Sequence, residues 1–332
     1  MTPTAQRPPR PAGRSRRVLV TGSSGAVGTA LCAGLPAAGW LVRQIDQVPP
    51  AVAPEDPRDS VVGDVFDPAT LQRAIRGCSA VVHLAAVPGE ASLEEITASH
   101  VMGTAVVLEA VRQAGVKRLV FASSNHAVGF TPRTPAGVEL GSDVRPRPDT
   151  YYGVGKVAGE ALCSLYADRF GISTACVRIG SFEDQPRTRR HLSTWLSPGD
   201  LVRVVDACLR APRLTYAVLW GISANTRRWW DLAAGYELGY EPQDDAEDYA
   251  QVIRAITREH DPDDPEHAHV GGSFTQPALP PLTPRQPPPV PSTPMAVSTV
   301  SRQSRESRQS RESIEGRGRI GKVLQFPDRG DR

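Results

Sequence analysis

The chain has 332 residues, 40% hydrophobic and 22% charged, which fits a water-soluble globular protein of one large or two smaller domains. Its net charge of +2 is unevenly spread: the first 17 residues hold five Arg and no acid, and the last 32 hold eight Arg and one Lys against five acids, leaving 24 basic and 31 acidic residues between. A mildly acidic body excludes a basic nucleic-acid-binding surface, and no apolar run reaches the ~18 residues of a membrane-spanning helix. Cys32, Cys78, Cys163, Cys176 and Cys208 are scattered with no C-x-x-C pair. Neither a metal site nor a disulfide framework is expected, and the usage fits a reducing cytoplasm. The opening MTPTAQRPPRPAGRSRR has no apolar stretch. It is expected to be a disordered basic segment (1–16) rather than a secretory signal.

From Val18 onward, short β-branched runs alternate with helical spacing. Strands are expected at Val18–Val20, Leu41–Ile45, Ser60–Val62, Ala80–Leu84, Lys117–Ala122 and Thr174–Ile179. Helices are expected at Leu93–Ala114 and Tyr152–Phe170. The alternation predicts an α/β fold, a doubly wound parallel sheet of the Rossmann type, over residues 17–180. After Gly180 the pattern weakens. Asp200–Arg210, Trp229–Leu238 and Ala246–Arg258 read as helices of a small C-terminal substrate lobe, 181–275. Nine of the 18 residues from Pro277 to Pro294 are proline, and SRQSRE then occurs twice in tandem. Such a stretch cannot offset its ordering entropy, so 276–332 is expected to be a disordered tail.

The first strand runs into Thr21-Gly22-Ser-Ser-Gly25-Ala-Val-Gly28 and then a helix, the context in which a glycine motif binds pyrophosphate. Gly22 permits the tight turn, Gly25 lets backbone N–H groups approach, and Gly28 allows close helix–strand packing. The helix start through Ala26 and Val27 supplies donors and a partial positive charge. Asp46 ends the second strand, 24 residues after Gly22. Its carboxylate suits the adenosine ribose hydroxyls and repels a 2′-phosphate, favouring NAD; Arg43, close in sequence, is the cation that leaves NADP open. Asp64, with Val65 beside it, is placed to meet the adenine, or else caps the helix starting near Pro68. Leu84-Ala85-Ala86 leaves the fourth strand with small residues that let backbone approach a cofactor.

Tyr152 and Lys156 lie four apart, on one face of a helix. An ammonium beside a phenol favours the phenolate, making Tyr152 a candidate proton acceptor for an alcohol. The fifth strand ends in Phe121-Ala-Ser-Ser124-Asn125-His126, where Ser124 can orient the reacting oxygen while Lys156 also holds the nicotinamide ribose. His83 reads as structural only.

With these residues assembled, the chain resembles the extended short-chain dehydrogenase/reductases, the NAD-dependent epimerase/dehydratase superfamily. Phe121–His126, Arg178-Ile-Gly-Ser181, Leu192-Ser-Thr-Trp195, Val218–Asn225, Trp229-Trp230-Asp231 and Gly271-Gly-Ser-Phe274 carry a closer likeness to its uronate dehydrogenase branch over roughly residues 17–275. The resemblance implies NAD-dependent oxidation of the anomeric C1 hydroxyl of D-galacturonate or D-glucuronate to an aldaro-lactone by a homo-oligomer. It implies Tyr152 as proton acceptor, Lys156 as its partner, and sugar contacts from Ser124, Asn125, His126 and Ser181. It also implies Arg190, within Arg187-Thr-Arg189-Arg190-His191, as the clamp on the substrate carboxylate, which suits a planar guanidinium fork. Three positions depart from the family pattern. Pro88 stands for a serine, His100 for an asparagine, and Gly155 for the serine of Y-G-V-S-K. Two other readings remain open: a nucleotide-sugar epimerase or reductase of the same superfamily, and a non-catalytic NAD-sensing interaction protein.

Overall fold

Hydrophobic residues alternate across the pleat of the first strand, so that Val18 and Val20 enter one core and Leu19 the other. The computed structural model describes residues 16–135, 137–257 and 268–282. The segments read as disordered, 1–16 and 276–332, lie outside the described residues except for Arg16 and 276–282. Nine strands are present among the described residues: β1 (Arg17–Thr21), β2 (Leu41–Asp46), β3 (Ser60–Val62), β4 (Ala80–His83), β5 (Arg118–Ser124), β6 (Ser173–Ile179), β7 (Ser181–Phe182), β8 (Trp195–Leu196) and β9 (Tyr216–Gly221). Seven form one parallel sheet in the order β3-β2-β1-β4-β5-β6-β9, and β7 and β8 form a separate pair. This is the doubly wound α/β fold anticipated.

Helices cover both faces. On one side, α1 (Ala26–Gly34) and α7 (Pro198–Arg210) bury Leu31, Leu201, Val204 and Cys208 against Val18, Val20, Val82 and Val120. On the other, α2 (Pro68–Ile75), α4 (Gly103–Gln113) and α5 (Tyr151–Phe170) bury Leu71, Val107, Leu108, Val111 and Cys163 against Leu19, Val81, Leu119 and Phe121. Each large apolar side chain so buried contributes about 1.5–3 kcal/mol. The helix starts are written in local chemistry. Asp67 caps α2 ahead of Pro68, and Ser197 caps α7 ahead of Pro198. Thr150 caps α5 by accepting the Gly153 N–H at 3.0 Å.

Four elements differ from expectation; one is the helix read over Ala246–Arg258, which is a 3₁₀ turn (Ala246–Tyr249) followed by a helix over Ala250–Ile256, with Arg258 outside the described residues. The single helix read over Leu93–Ala114 is α3 (Leu93–Ile96), one wider π turn (Thr97–Met102) and then α4. β9 was not anticipated, because Tyr216–Gly221 gives no alternation that marks a strand. With β9 on the edge of β6 and α7 packed on α1, the division placed at residue 180 is not a division of the sheet. What remains beyond it is a small satellite core in which Leu192 of α6 (His191–Thr194), Trp195, Ala246 and Ala250 and Ile253 of α9 (Ala250–Ile256) pack together. The helix read at Trp229–Leu238 shortens to α8 (Ala233–Glu237).

Candidate active site

In open α/β sheets a ligand site forms at the carboxyl ends of the strands where their order reverses, here between β1 and β4. A cavity of about 760 Å³ lies there, within the range of small-molecule and cofactor sites. Its wall includes every residue anticipated for cofactor binding: Gly22, Gly25, Ala26, Val27, Gly28, Asp46, Asp64, Val65, Leu84, Ala85, Ala86 and Lys156.

The β1–α1 turn is built for close approach. Gly22 has φ +71, and a Cβ on it would stand 2.8 Å from the Ala85 nitrogen. A Cβ on Gly28 would stand 2.2 Å from the Gly22 carbonyl oxygen. Only hydrogen fits at either position, so the turn folds tightly against both the helix and the loop after β4. The first helical bond of α1 runs from Thr29 N–H to Gly25 O, so the amides of Ala26, Val27 and Gly28, all in the cavity wall, have no partner within the helix. Asp46 accepts the Ser24 N–H at 2.9 Å, which holds its carboxylate at the cavity edge beside Gln47 and Val48. Arg43 is turned away: its Nε donates to Asp59 at 2.8 Å and its Nη1 to the Arg76 carbonyl at 2.7 Å. The cation that a 2′-phosphate would need is thus committed elsewhere. Asp64 accepts the Phe66 N–H at 2.8 Å, while α2 is capped by Asp67, so Asp64 is not the helix cap. The turn, the donors and the ribose-side carboxylate all fit a dinucleotide.

At the other end, α5 brings Tyr152 and Lys156 to the cavity beside Ser124, Asn125 and His126. Lys156 is 5% exposed, donates to the Ala122 carbonyl at 2.8 Å, and lies 5.2 Å from the centre of the Tyr152 ring. Burial lowers its pKa to about 8, against the opposing pull of Glu160. Burial also raises the Tyr152 phenol, with a hydrogen bond to Ser124 pulling it down and Asp149 pushing it up. The lowering expected from Lys156 does not set the direction: burial raises the phenol, because a buried phenolate loses hydration. Behind Lys156, Arg178 forms a two-pronged ion pair with Glu160, at 2.9 and 2.8 Å, and Ser123 donates to the same carboxylate at 2.6 Å. His126 pairs with Asp149 through Nδ1 at 2.8 Å and packs against the Phe274 ring at 4.4 Å. His83 is structural: burial pushes its pKa down to about 3, and it hydrogen-bonds Thr21 at 2.9 Å.

Two anticipated residues do not line the cavity. The Ser181 hydroxyl is paired with that of Thr194 at 2.8 Å. Arg190 is 9% exposed, donates to the Val270 carbonyl, and lies 5.0 Å over the Trp229 ring. The Val270 carbonyl also accepts from Asn125 at 3.2 Å, so Arg190 sits directly behind the wall that Asn125 forms. Sequence reasoning missed Glu90, Ser99, Phe182 and Phe274. Of these Ser99, Phe182 and Phe274 line the cavity, and the Glu90 carboxylate accepts the N–H groups of Tyr151 and Tyr152 at 3.0 and 2.8 Å. Phe274 stood in a quoted motif, whereas no local pattern marks the others.

Fold and cavity together define a nicotinamide-dinucleotide oxidoreductase of the Rossmann type. A model of the NAD dependent epimerase/dehydratase family matches residues 18–214, and the chain belongs to that family. It is 39% identical over 259 residues to the uronate dehydrogenase of Agrobacterium fabrum, covering 78% of this chain and 96% of the relative. Among solved structures it resembles a uronate dehydrogenase variant from Agrobacterium tumefaciens complexed with NAD, at 38% identity and TM-score 0.73 over 79% of this chain and 98% of that one. It also resembles a glucuronic acid dehydrogenase from Chromohalobacter salexigens, at 37% identity and TM-score 0.74 over 79% and 97%. The chain is an NAD-dependent dehydrogenase.

Proposed function

We propose that the protein oxidises the anomeric C1 hydroxyl of a free hexuronic acid, D-galacturonate or D-glucuronate, to an aldaro-lactone. The observation that carries this reading is the grouping of Ser124, Asn125, His126, Tyr152 and Lys156 in the wall of the same cavity that the Gly22–Gly28 turn and Asp46 line. Gly22–Gly28 would hold the pyrophosphate of NAD, Asp46 the adenosine ribose, and Asp64 and Val65 the adenine. Leu84, Ala85, Ala86 and Lys156 would hold the nicotinamide side. When bound, NAD supplies the acceptor for the hydride that leaves C1.

The chain's own residues do the rest. Tyr152 takes the O1 proton, and Ser124, beside it in the cavity wall, orients that oxygen. The Tyr152 phenol first gives its own proton to solvent, the Lys156 ammonium stabilises the phenolate that then accepts the O1 proton, and the Glu160 carboxylate, held by Arg178, favours the Lys156 charge. His126, oriented by Asp149, presents Nε2 to a sugar hydroxyl. Arg190 joins the substrate carboxylate on one condition: Val270–Phe274 must move off the guanidinium, since Gly272 packs against it. Residues 181–275 complete the substrate side in this reading. The cytoplasm, suggested by the five free cysteines, and a homo-oligomeric state belong to the same proposal, the latter tested by size-exclusion chromatography with light scattering.

The test of function is NADH formation on mixing the protein and NAD with either free uronate. Tyr152→Phe should lose turnover and keep NAD affinity. Turnover of a nucleotide-linked sugar but not of a free uronate would replace the substrate assignment.

A further inference from the structure

His100 sits at the centre of the π turn, 1% exposed, between the loop that follows β4 and the helix that carries Tyr152. Its Nε2 donates to the Val87 carbonyl at 2.9 Å, tying it to the cofactor-side loop. Its ring meets the Tyr152 ring edge-on, with centroids 5.2 Å apart and planes at 83°. Beneath it lies Gly155, where a Cβ would stand 2.8 Å from the His100 Cβ and 2.8 Å from Ile96 Cγ2. Neither of those atoms is the loose end of a flexible chain, so α5 reaches this position only because residue 155 has no side chain. The two departures at 100 and 155 thus meet at one contact.

We propose that His100 and Gly155 form a clamp that positions the reacting tyrosine, with His100 holding the Val87 carbonyl of the cofactor loop on one side and the Tyr152 ring on the other, at the close approach that Gly155 permits. His100 is a positioning residue: it acts through Tyr152 and the loop. Burial and the Lys156 charge hold its pKa down to about 4, so the imidazole is neutral at neutral pH and donates through Nε2. The other ring nitrogen, Nδ1, is buried with no partner among the described residues, so the Val87 bond and the ring contact carry its orientation. The titratable groups around Tyr152 are Lys156 on its own helix, Glu90 bonded to its backbone N–H, His100 on the π turn, and the His126–Asp149 pair beyond it.

The proposal rests on the reading of Tyr152 as proton acceptor, and two variants separate its parts. His100→Gln keeps an N–H donor at a similar reach, whereas His100→Phe keeps a ring but leaves the Val87 carbonyl unsatisfied. His100→Phe should lower kcat about tenfold and move the rising limb of the pH–rate profile to higher pH, while His100→Gln recovers most of both. Gly155→Ala adds the better helix former, so helix propensity alone predicts a more stable and equally active enzyme. The clamp predicts a lower Tm and a kcat reduced about tenfold. The Gly155→Ala melt reads the close approach without any substrate, since helix propensity and the clamp predict opposite signs of the Tm change, so a failure of the uronate assignment leaves that arm intact. Wild-type kcat and pH profile in His100→Phe would overturn the proposal. So would equal losses in His100→Phe and His100→Gln that follow Tm alone, or a stabilised, fully active Gly155→Ala.

Discussion

Glu90 is the perturbation that most directly probes how the tyrosine helix is held. Its carboxylate accepts the N–H groups of Tyr151 and Tyr152 at 3.0 and 2.8 Å, two of the four donors that the start of α5 cannot satisfy internally. Hydrogen bonds to a charged group are each worth roughly 1.5–3 kcal/mol, and an anion at a helix start about 0.3–1 kcal/mol more. Glu90 is half-buried, so water replaces part of both terms, and Glu90→Ala should cost about 1–2 kcal/mol. For a protein of this size that lowers Tm by roughly 2–8 °C. Because the bond is made to Tyr152 itself, the first turn loosens where the phenol is aimed, and kcat should fall about tenfold with NAD affinity nearly unchanged. Calorimetry together with steady-state kinetics and a cofactor titration measures all three. An unchanged Tm with unchanged kcat would refute the argument that this carboxylate positions the helix.

Burial raises the Tyr152 phenol, so little phenolate exists at neutral pH, and kcat/KM for oxidation should rise as the solution becomes alkaline. Loss of the Lys156 charge above about 8 then works against further gain, and the two apparent values belong to the pair; a profile that peaks below neutral pH would contradict this. Gly28→Ala drives a methyl into the Gly22 carbonyl, 2.2 Å away, and should weaken NAD binding at least about tenfold, read by fluorescence titration. Arg190→Gln should raise the KM for a hexuronate about tenfold and leave that for NAD alone, whereas no change in the sugar KM removes Arg190 from the site.

That the glycine turn and Asp46 line one cavity was legible because the physics there is local. A strand, a glycine turn and a helix in succession leave little choice about where amides point, and Asp46 follows from the end of the next strand. Helical spacing put Tyr152 and Lys156 on one face, and the glycine turn and strand order upstream gave that weak match its weight. The substrate half depends on contacts distant in sequence. Asn125 and Arg190 both bond to the Val270 carbonyl, and His126 leans on Phe274, so the wall is set by a segment 145 residues beyond Asn125 and 80 beyond Arg190. Glu90 reaches across 61 residues to Tyr151, and no spacing rule announces such a bond. The π turn was read as ordinary helix because one wider turn leaves the apolar spacing of Leu93–Ala114 almost unaltered. The phenol's direction of shift was misjudged because sequence shows the neighbouring charge and not the burial.

The central claim is oxidation at C1 of a free hexuronate with NAD as the hydride acceptor. Its most direct test is a single mixing experiment with purified protein, NAD and either D-galacturonate or D-glucuronate, following reduced nicotinamide by absorbance and the sugar product by NMR. The account predicts one NADH for each uronate consumed and a lactone whose carbonyl is the former C1. NAD binding without NADH formation from either uronate would contradict it.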